Sequence, residues 1–552
     1  MSRRVFWMSG LIAWPLIAMG CGAGYKIPEI SGNSVKVPIV VDASQSAGML
    51  DHSWEVIAGS GHGGLYVREG WSERTLVHLA DVHENLGIQM VRFHGIFGDE
   101  VGIYRGPGRY DFSRLDRAYD GVLAAGVKPF IELSFTPREL ASGMARGFPF
   151  GYKPYISPPE SYEEWGNMVQ AFARHLVERY GLKEVKTWYF EVWNEPNLPV
   201  FWGGDMDDYF RLYDVTAKAI KSVHPDLQVG GPSTSQAAWI WEFLVHCQDE
   251  NQPLDFISTH GYYNENTSKL MKQANKAGVE FEREQRPGFF YDEVRLINEI
   301  MDKSRLGRLP LYITEWNSSI AYSYKMPSIF VSWPNDHDLP NDAAFMCKAV
   351  KDVNGYTDGF SHWTYSDVFE EWSLPGKRWP VKRGAFHGGF GVITIDGIHK
   401  PSYHAFAFLH KMGKDLVKTE VQSPRKGLDA MATLDSEILS VLVWYWLDTL
   451  FEKETGGPEA VVTLRLENLP VELIGKNIYA YRIDTRHGNT FEEWLNMGKP
   501  GKLTRRQVAR LKEISDSTIR SQDLDRNIEG SNMTIEFSLP PAGVVFISTQ
   551  GP

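Results

Sequence analysis

The chain has 552 residues, 43% of them hydrophobic, enough for a large core and more than one domain. Charged residues make up 23%, the formal net charge is −12, and no long basic block occurs, so the composition gives no support to nucleic-acid binding. Three cysteines in such a length exclude a disulfide framework and a cysteine-built metal site.

The chain opens with "MSRRVFWMSGLIAWPLIAMGCGAGY". Arg3 and Arg4 precede an apolar stretch over residues 5–19, too short to span a membrane comfortably, and Ala18-Met19-Gly20 is a small-x-small cleavage pattern. Residues 1–20 are therefore expected to be a signal peptide of an exported protein. Cys21, directly after the site, suggests a lipidated cysteine and membrane anchoring. Downstream, Cys247 and Cys347 allow one disulfide or none. In the segment 21–53, "VPIVVDAS" reads as a strand, expected to join a β-sandwich formed by the other end of the chain.

Between residues 54 and 414, short apolar runs alternate with amphipathic stretches. The runs are "EVIAGSG" near Glu55, "QMVRFHG", "KPFIELSF", "WYFEVWNEP", "LQVGGPS", "FISTHGY", "LYITEWNS" and "GFSHWTYSD". The first six read apolar first and polar or glycine-rich last. Between them, Val169, Phe172, Leu176 and Tyr180, and then Phe210, Tyr213, Ala217 and Ile220, recur at helical spacing. Eight β-then-α units predict an α/β fold, a (β/α)8 TIM barrel whose active site lies at the C-terminal ends of the strands. Over residues 415–552, strand-like runs such as "ILSVLVWYWL" and "AVVTLRLENL" have no helices of matching rhythm between them. They predict a β-sandwich accessory domain with a charged helical insertion near 486–526.

Two carboxylates stand out. Glu195 ends the fourth barrel strand and Glu315 the seventh. A closed barrel brings those ends to one mouth, where two carboxyl groups are the parts needed to hydrolyse a glycosidic bond: one protonated to give a proton to the leaving oxygen, one ionised to attack the anomeric carbon. Glu191, four residues before Glu195, reads as a barrel-interior carboxylate without a catalytic role.

At these residues the sequence resembles glycoside hydrolase family 39, its β-xylosidases more than its α-L-iduronidases. The resemblance rests on "FEVWNEPNL", "ITEWN", "HWTYSDVFEE", "FHGGFG", "KPSYHAF" and "HGNTFEEWLNMGKP", and extends over most of residues 55–550. It implies Glu195 as acid/base and Glu315 as nucleophile of a retaining enzyme, with carboxyl groups about 5–5.5 Å apart. It also implies sugar contacts from His94, Asn194 (to the 2-hydroxyl), His260 and Trp363, with Tyr262 donating to the nucleophile. Glu370 and Glu371 would bind the outer hydroxyls of a terminal sugar and close one end of the site. The reading is an exo-acting 1,4-β-xylosidase that uses no metal or cofactor, with an oligosaccharide as its partner. The alternatives are the same machinery on an arabinoside, glucoside or iduronide, or a surface lipoprotein that binds glycans without cleaving them. Paired acids at Glu370 and Glu371 oppose a uronate by like charge.

Overall fold

The structure, a computed structural model, describes residues 28–147, 152–280, 291–320, 336–368, 385–520, 524 and 526–551. The expected signal peptide, Cys21, Glu370 and Glu371 lie outside the described residues. Two strands come first, β1 (Glu29–Ile30) and β2 (Val35–Met49). The eight apolar runs then become β3 (Ile57–His62), β4 (Met90–His94), β5 (Lys128–Leu133), β6 (Tyr189–Val192), β7 (Gln228–Thr234), β8 (Phe256–His260), β9 (Leu311–Trp316) and β10 (Gly359–His362). They close as a parallel barrel in the order β10-β3-β4-β5-β6-β7-β8-β9. Glu55, where the first run was read to begin, sits in a short helix, Ser53–Val56, just before β3.

Strand alternation sorts the side chains. In β5, Phe130 joins a small interior cluster while Ile131 and Leu133 face the surrounding helices. In β4, Val91 and Phe93 face outward in the same way, leaving Arg92 and His94 for the interior. The outer helices cover that apolar surface. Helix Met206–Val223 starts at an Asp205–Asp208 capping box and buries Phe210, Tyr213, Ala217 and Ile220. Helix Tyr162–Tyr180 is capped by Ser161 and buries Val169, Phe172 and Leu176, with Tyr180 half-buried against them.

The last helix against the barrel, Pro401–His410, leads to β11 (Asp415–Val421), β12 (Leu428–Asp435), β13 (Ile438–Tyr445), β14 (Gly456–Gly457), β15 (Ala460–Glu467), β16 (Tyr479–Ile483), β17 (Arg526–Glu529), β18 (Asn532–Leu539) and β19 (Val544–Ser548). The β-sandwich accessory domain is hydrogen-bonded as one nine-stranded sheet, β16-β19-β13-β12-β11-β2-β15-β18-β17, while β1 and β14 pair separately. The early strand β2 sits in its middle, antiparallel to β11 and parallel to β15. Val37, Ile39 and Val41 alternate into its core with Val441, Val443, Val462 and Leu464.

The insertion carries two helices, Phe491–Asn496 and Arg505–Thr518. Phe386, in the segment after β10, meets Phe491 and Trp494 at ring distances of 5.8 and 5.5 Å. Beside it, His399 bridges Asp81 of one barrel helix and Asp516 of the insertion, 3.0 Å from each, and stacks on Tyr403. Cys247 and Cys347 are buried free thiols. Among the described residues, no helix is long and apolar enough to cross a membrane.

Candidate active site

Arg92 is the centre of the barrel mouth. It is fully buried, and its guanidinium donates through Nε to Glu191 (2.5 Å) and through Nη1 to Glu315 Oε1 (2.8 Å). Nη2 reaches Glu132 (3.0 Å), Asn194 Oδ1 (2.9 Å) and Ser233 Oγ (3.2 Å). Burial alone would weaken its hold on the proton, but the charges of Glu191, Glu132 and Glu315 outweigh that and keep it charged. Glu191 also accepts from Thr314, 2.8 Å away. It is a buried member of this lattice, placed where the sequence put it.

Glu315 lies at the end of β9, opposite His260 of β8 across a local register shift. Such irregularities re-aim side chains at strand ends. Its carboxylate receives Arg92 on one oxygen and the Tyr262 hydroxyl on the other, at 2.9 Å. Two fixed donors favour the ionised form. Tyr262 keeps its proton for this bond, because burial and then the neighbouring Glu315 push its pKa well up.

Glu195 is held differently. Strand β6 ends at Val192, and both Trp193 (φ 73°) and Glu195 (φ 43°) take the left-handed conformation, which costs a non-glycine residue roughly 1 kcal/mol or more. Packing and hydrogen bonds compensate: Trp193 is buried and donates to Phe201 O, and Glu195 N donates to Ser233 O at 2.8 Å. Asn197 and Ser235 exchange two further bonds, Nδ2 to O (3.0 Å) and N to Oδ1 (2.9 Å). The turn thus aims Glu195 back into the mouth. Burial first, then the negative charges of Glu315 and Glu265, push its carboxyl well above the ordinary range.

His260 stands between the two acids. Its Nδ1 is 3.0 Å from Glu195 and 3.6 Å from Glu315, and Nε2 faces Ser233 Oγ at 3.3 Å. Burial, then the charges of Arg92 and His94, keep the ring neutral by driving its pKa well down. The ligand atoms of Glu195, His260 and Glu315 all fall within 4.8 Å of one another, the one grouping with metal-ligand spacing among the described residues. The fixed positive charge of Arg92 on Glu315 opposes a cation there.

His94 bonds Glu132 through Nδ1 (2.5 Å), which turns Nε2 toward Glu315, 3.8 Å away. Trp363 lies 4.8 Å from the His94 ring and clusters with Tyr262 and Phe390 as an aromatic wall. Gly59 makes room for it: a Cβ there would come within 2.3 Å of the indole. Asn194 spends its oxygen on Arg92, and its buried Nδ2 has no hydrogen-bond partner among the described residues. Below the segment after β10, Lys400 is fully buried between Asp338 (2.8 Å) and Asp367 (2.7 Å). Both aspartates also take backbone N–H groups, from Gly388 and Gly391, and so hold the backbone at those two glycines.

The structure therefore brings His94, Asn194, Glu195, His260, Tyr262, Glu315 and Trp363 to one mouth. Reading the sequence missed Arg92, Glu132 and Glu265. Alternation from His94 would have pointed Arg92 inward; Glu265 lies in a turn that gives no such signal. The arrangement pairs a carboxyl pushed toward its protonated form with one that receives two fixed donors, both 5% exposed.

Comparison with known proteins agrees with this chemistry. The model of glycosyl hydrolases family 39 matches residues 37–531. A β-xylosidase of Caldicellulosiruptor saccharolyticus is 35% identical over 531 residues, 93% of this chain and 98% of that protein. One from Geobacillus stearothermophilus is 34% identical over 483 residues, 85% of this chain and 88% of that one. The solved structure of a GH39 β-xylosidase from Caulobacter crescentus superposes with a TM-score of 0.73 at 30% identity, covering 93% of this chain and 100% of that one. A match of this extent means that the chain belongs to glycosyl hydrolases family 39 and is an enzyme that acts on a carbohydrate substrate by hydrolysing its glycosidic bond.

Proposed function

We propose a retaining, exo-acting 1,4-β-xylosidase that works by double displacement. The observation that carries the mechanism is the unequal pair: Glu195 and Glu315 within 4.8 Å, the first pushed toward its acid form, the second held by Arg92 and Tyr262. That proximity suits direct attack; an inverting pair needs roughly 6.5–9.5 Å to admit a water between sugar and base. Glu195 gives its proton to the leaving oxygen while a Glu315 oxygen bonds to the anomeric carbon, forming a glycosyl ester. The ester is neutral. The charge that raised the proton affinity of Glu195 is then gone, so Glu195 becomes a competent base. It takes a proton from water, whose oxygen displaces Glu315 from the sugar and restores both carboxyls. The Nδ2 of Asn194, without a partner among the described residues, would donate to the sugar 2-hydroxyl, and Trp363 would lie under the ring.

The two β-xylosidases at 35% and 34% identity support xylose as the sugar. The exo action rests on Glu370 and Glu371, read from the sequence as the closed end of the site. Initial rates on p-nitrophenyl β-xyloside, α-arabinoside, β-glucoside and α-iduronide test the substrate. A clear preference for the β-xyloside, with retention at the anomeric carbon by NMR, is expected. Preference for another sugar overturns the substrate, and inversion overturns the mechanism. The N-terminal sequence supports export and lipidation at Cys21; loss of the protein from the membrane fraction on Cys21→Ser would be the expected sign, and unchanged partition would refute it.

A further inference from the structure

A third carboxylate stands behind the pair. Glu265 is 8% exposed and lies in the turn after β8. One oxygen accepts the backbone N–H of Tyr262 (3.0 Å), the residue whose hydroxyl donates to Glu315. The other accepts Ser235 Oγ (3.1 Å), and Ser235 is the residue that exchanges two bonds with Asn197 in the turn of Glu195. One side chain therefore ties the turn of Glu195 to the donor of Glu315.

We infer that Glu265 is a positioning residue that locks Tyr262 and the Glu195 turn together and, through its own negative charge, prolongs the protonated state of Glu195 as pH rises. This rests on the assignment of Glu195 as general acid. The groups that act on it are Tyr262 from its own turn, Ser235 and Gln236 from the segment after β7, and Lys269 from helix Ser268–Ala277, and its charge in turn acts on Glu195, from the turn after β6, and on Tyr262. His260 and Glu315, at the ends of β8 and β9, are its next neighbours through Glu195 and Tyr262. Burial, opposed by the Tyr262, Ser235 and Gln236 bonds and by Lys269, sets its pKa near neutrality, at about 7. Below that it is largely uncharged. Above it, each Glu265 that ionises adds a negative charge beside Glu195 and makes that proton harder to lose. The acid's titration is thereby stretched into the alkaline range.

The test is the pH profile of kcat/KM for the full-length enzyme on an unactivated xylo-oligosaccharide, where the leaving group needs the proton. Glu265→Gln keeps an acceptor for Tyr262 N–H and removes the charge. The alkaline limb should move acidward by about one pH unit, while the acidic limb stays in place. Glu265→Asp keeps the charge but shortens the reach, so kcat should fall with the alkaline limb unmoved. Thermal melting identifies a variant that fails to fold, and the aspartate variant then decides. If the glutamine variant melts normally and its alkaline limb coincides with that of the wild type, the inference is overturned. A wild-type profile with no alkaline limb that responds to Glu195→Gln would instead sink the acid assignment beneath it.

Discussion

The two ends of the barrel are built from the same strands and filled by opposite chemistry. At the N-terminal end, Ile57, Phe130, Phe256 and Tyr312 form a cluster, with Tyr189 packed against it. Phe130 stacks on Tyr189 at 5.3 Å and meets Phe256 edge-on at 5.8 Å. One turn of strand higher, in β5 and β6, Glu132 follows Phe130 and Glu191 follows Tyr189. The floor is aromatic and carries no charged side chain in this cluster, and each ring gains its share from area removed from water, about 1.5–3 kcal/mol for a side chain of this size. The mouth gains little of that. Its buried carboxylates are held by Arg92, which reaches three of them, together with the hydroxyls of Thr314 and Tyr262 and the ring of His94. The floor therefore supplies stability that the mouth consumes, and the mouth supplies chemistry that the floor cannot perform.

That contrast can be broken from either side. The largest effect should come from Glu315→Ala, which deletes the proposed nucleophile: kcat should fall by about 10⁴-fold or more with the melting temperature little changed, and a variant with near wild-type turnover would remove Glu315 from that role. Arg92→Met should damage both properties. It leaves Glu132, Glu191 and Glu315 buried without their counter-charge, at about 3–5 kcal/mol of stability, measurable by denaturant unfolding, and kcat should drop by about 10²-fold or more. Phe130→Ala sharpens the comparison from below. It should also cost about 3–5 kcal/mol, yet the folded fraction should keep wild-type kcat and KM; a kinetic defect would mean that floor and mouth are coupled.

The smallest effect lies outside the barrel. His399, between Asp81 and Asp516, has its pKa raised to about 9: burial opposes the charge, but the two aspartate bonds outweigh it. Because the folded value exceeds the unfolded one, its contribution is fully present below about pH 6.5 and is lost as pH rises through about 9. His399→Gln should lower the melting temperature near neutral pH and converge with the wild type in alkali. A constant offset across that window would show that shape, not charge, makes the contact.

The strands were legible because each repeats one local rule, apolar residues out toward helices and polar ones at the C-terminal end. Glu195 and Glu315 were legible because they interrupt aromatic strands where a barrel puts its chemistry. Arg92 was hidden by the same regularity: an arginine in "VRFHG" is one polar residue among many until β5, β6, β7 and β9 are placed around it. Glu265 was hidden for a different reason. Its partners, Tyr262 and Ser235, belong to two separate turns, and turns carry no period from which contact can be inferred. The expected site extends to Glu370 and Glu371, which fall outside the described residues.

The position of β2 has a consequence for synthesis. Its neighbours, β11 and β15, are translated only after the whole barrel has been made. This early strand therefore has no partner until all eight barrel strands have been made, and closing that distance is a slow, non-local step. A chain stopped short of residue 415 would hold a barrel with every catalytic group and a fifteen-residue strand open along both edges, a template for joining another such chain. Both edges of β2 are thus sheltered only once translation has passed β15, about four hundred residues after β2 itself was made.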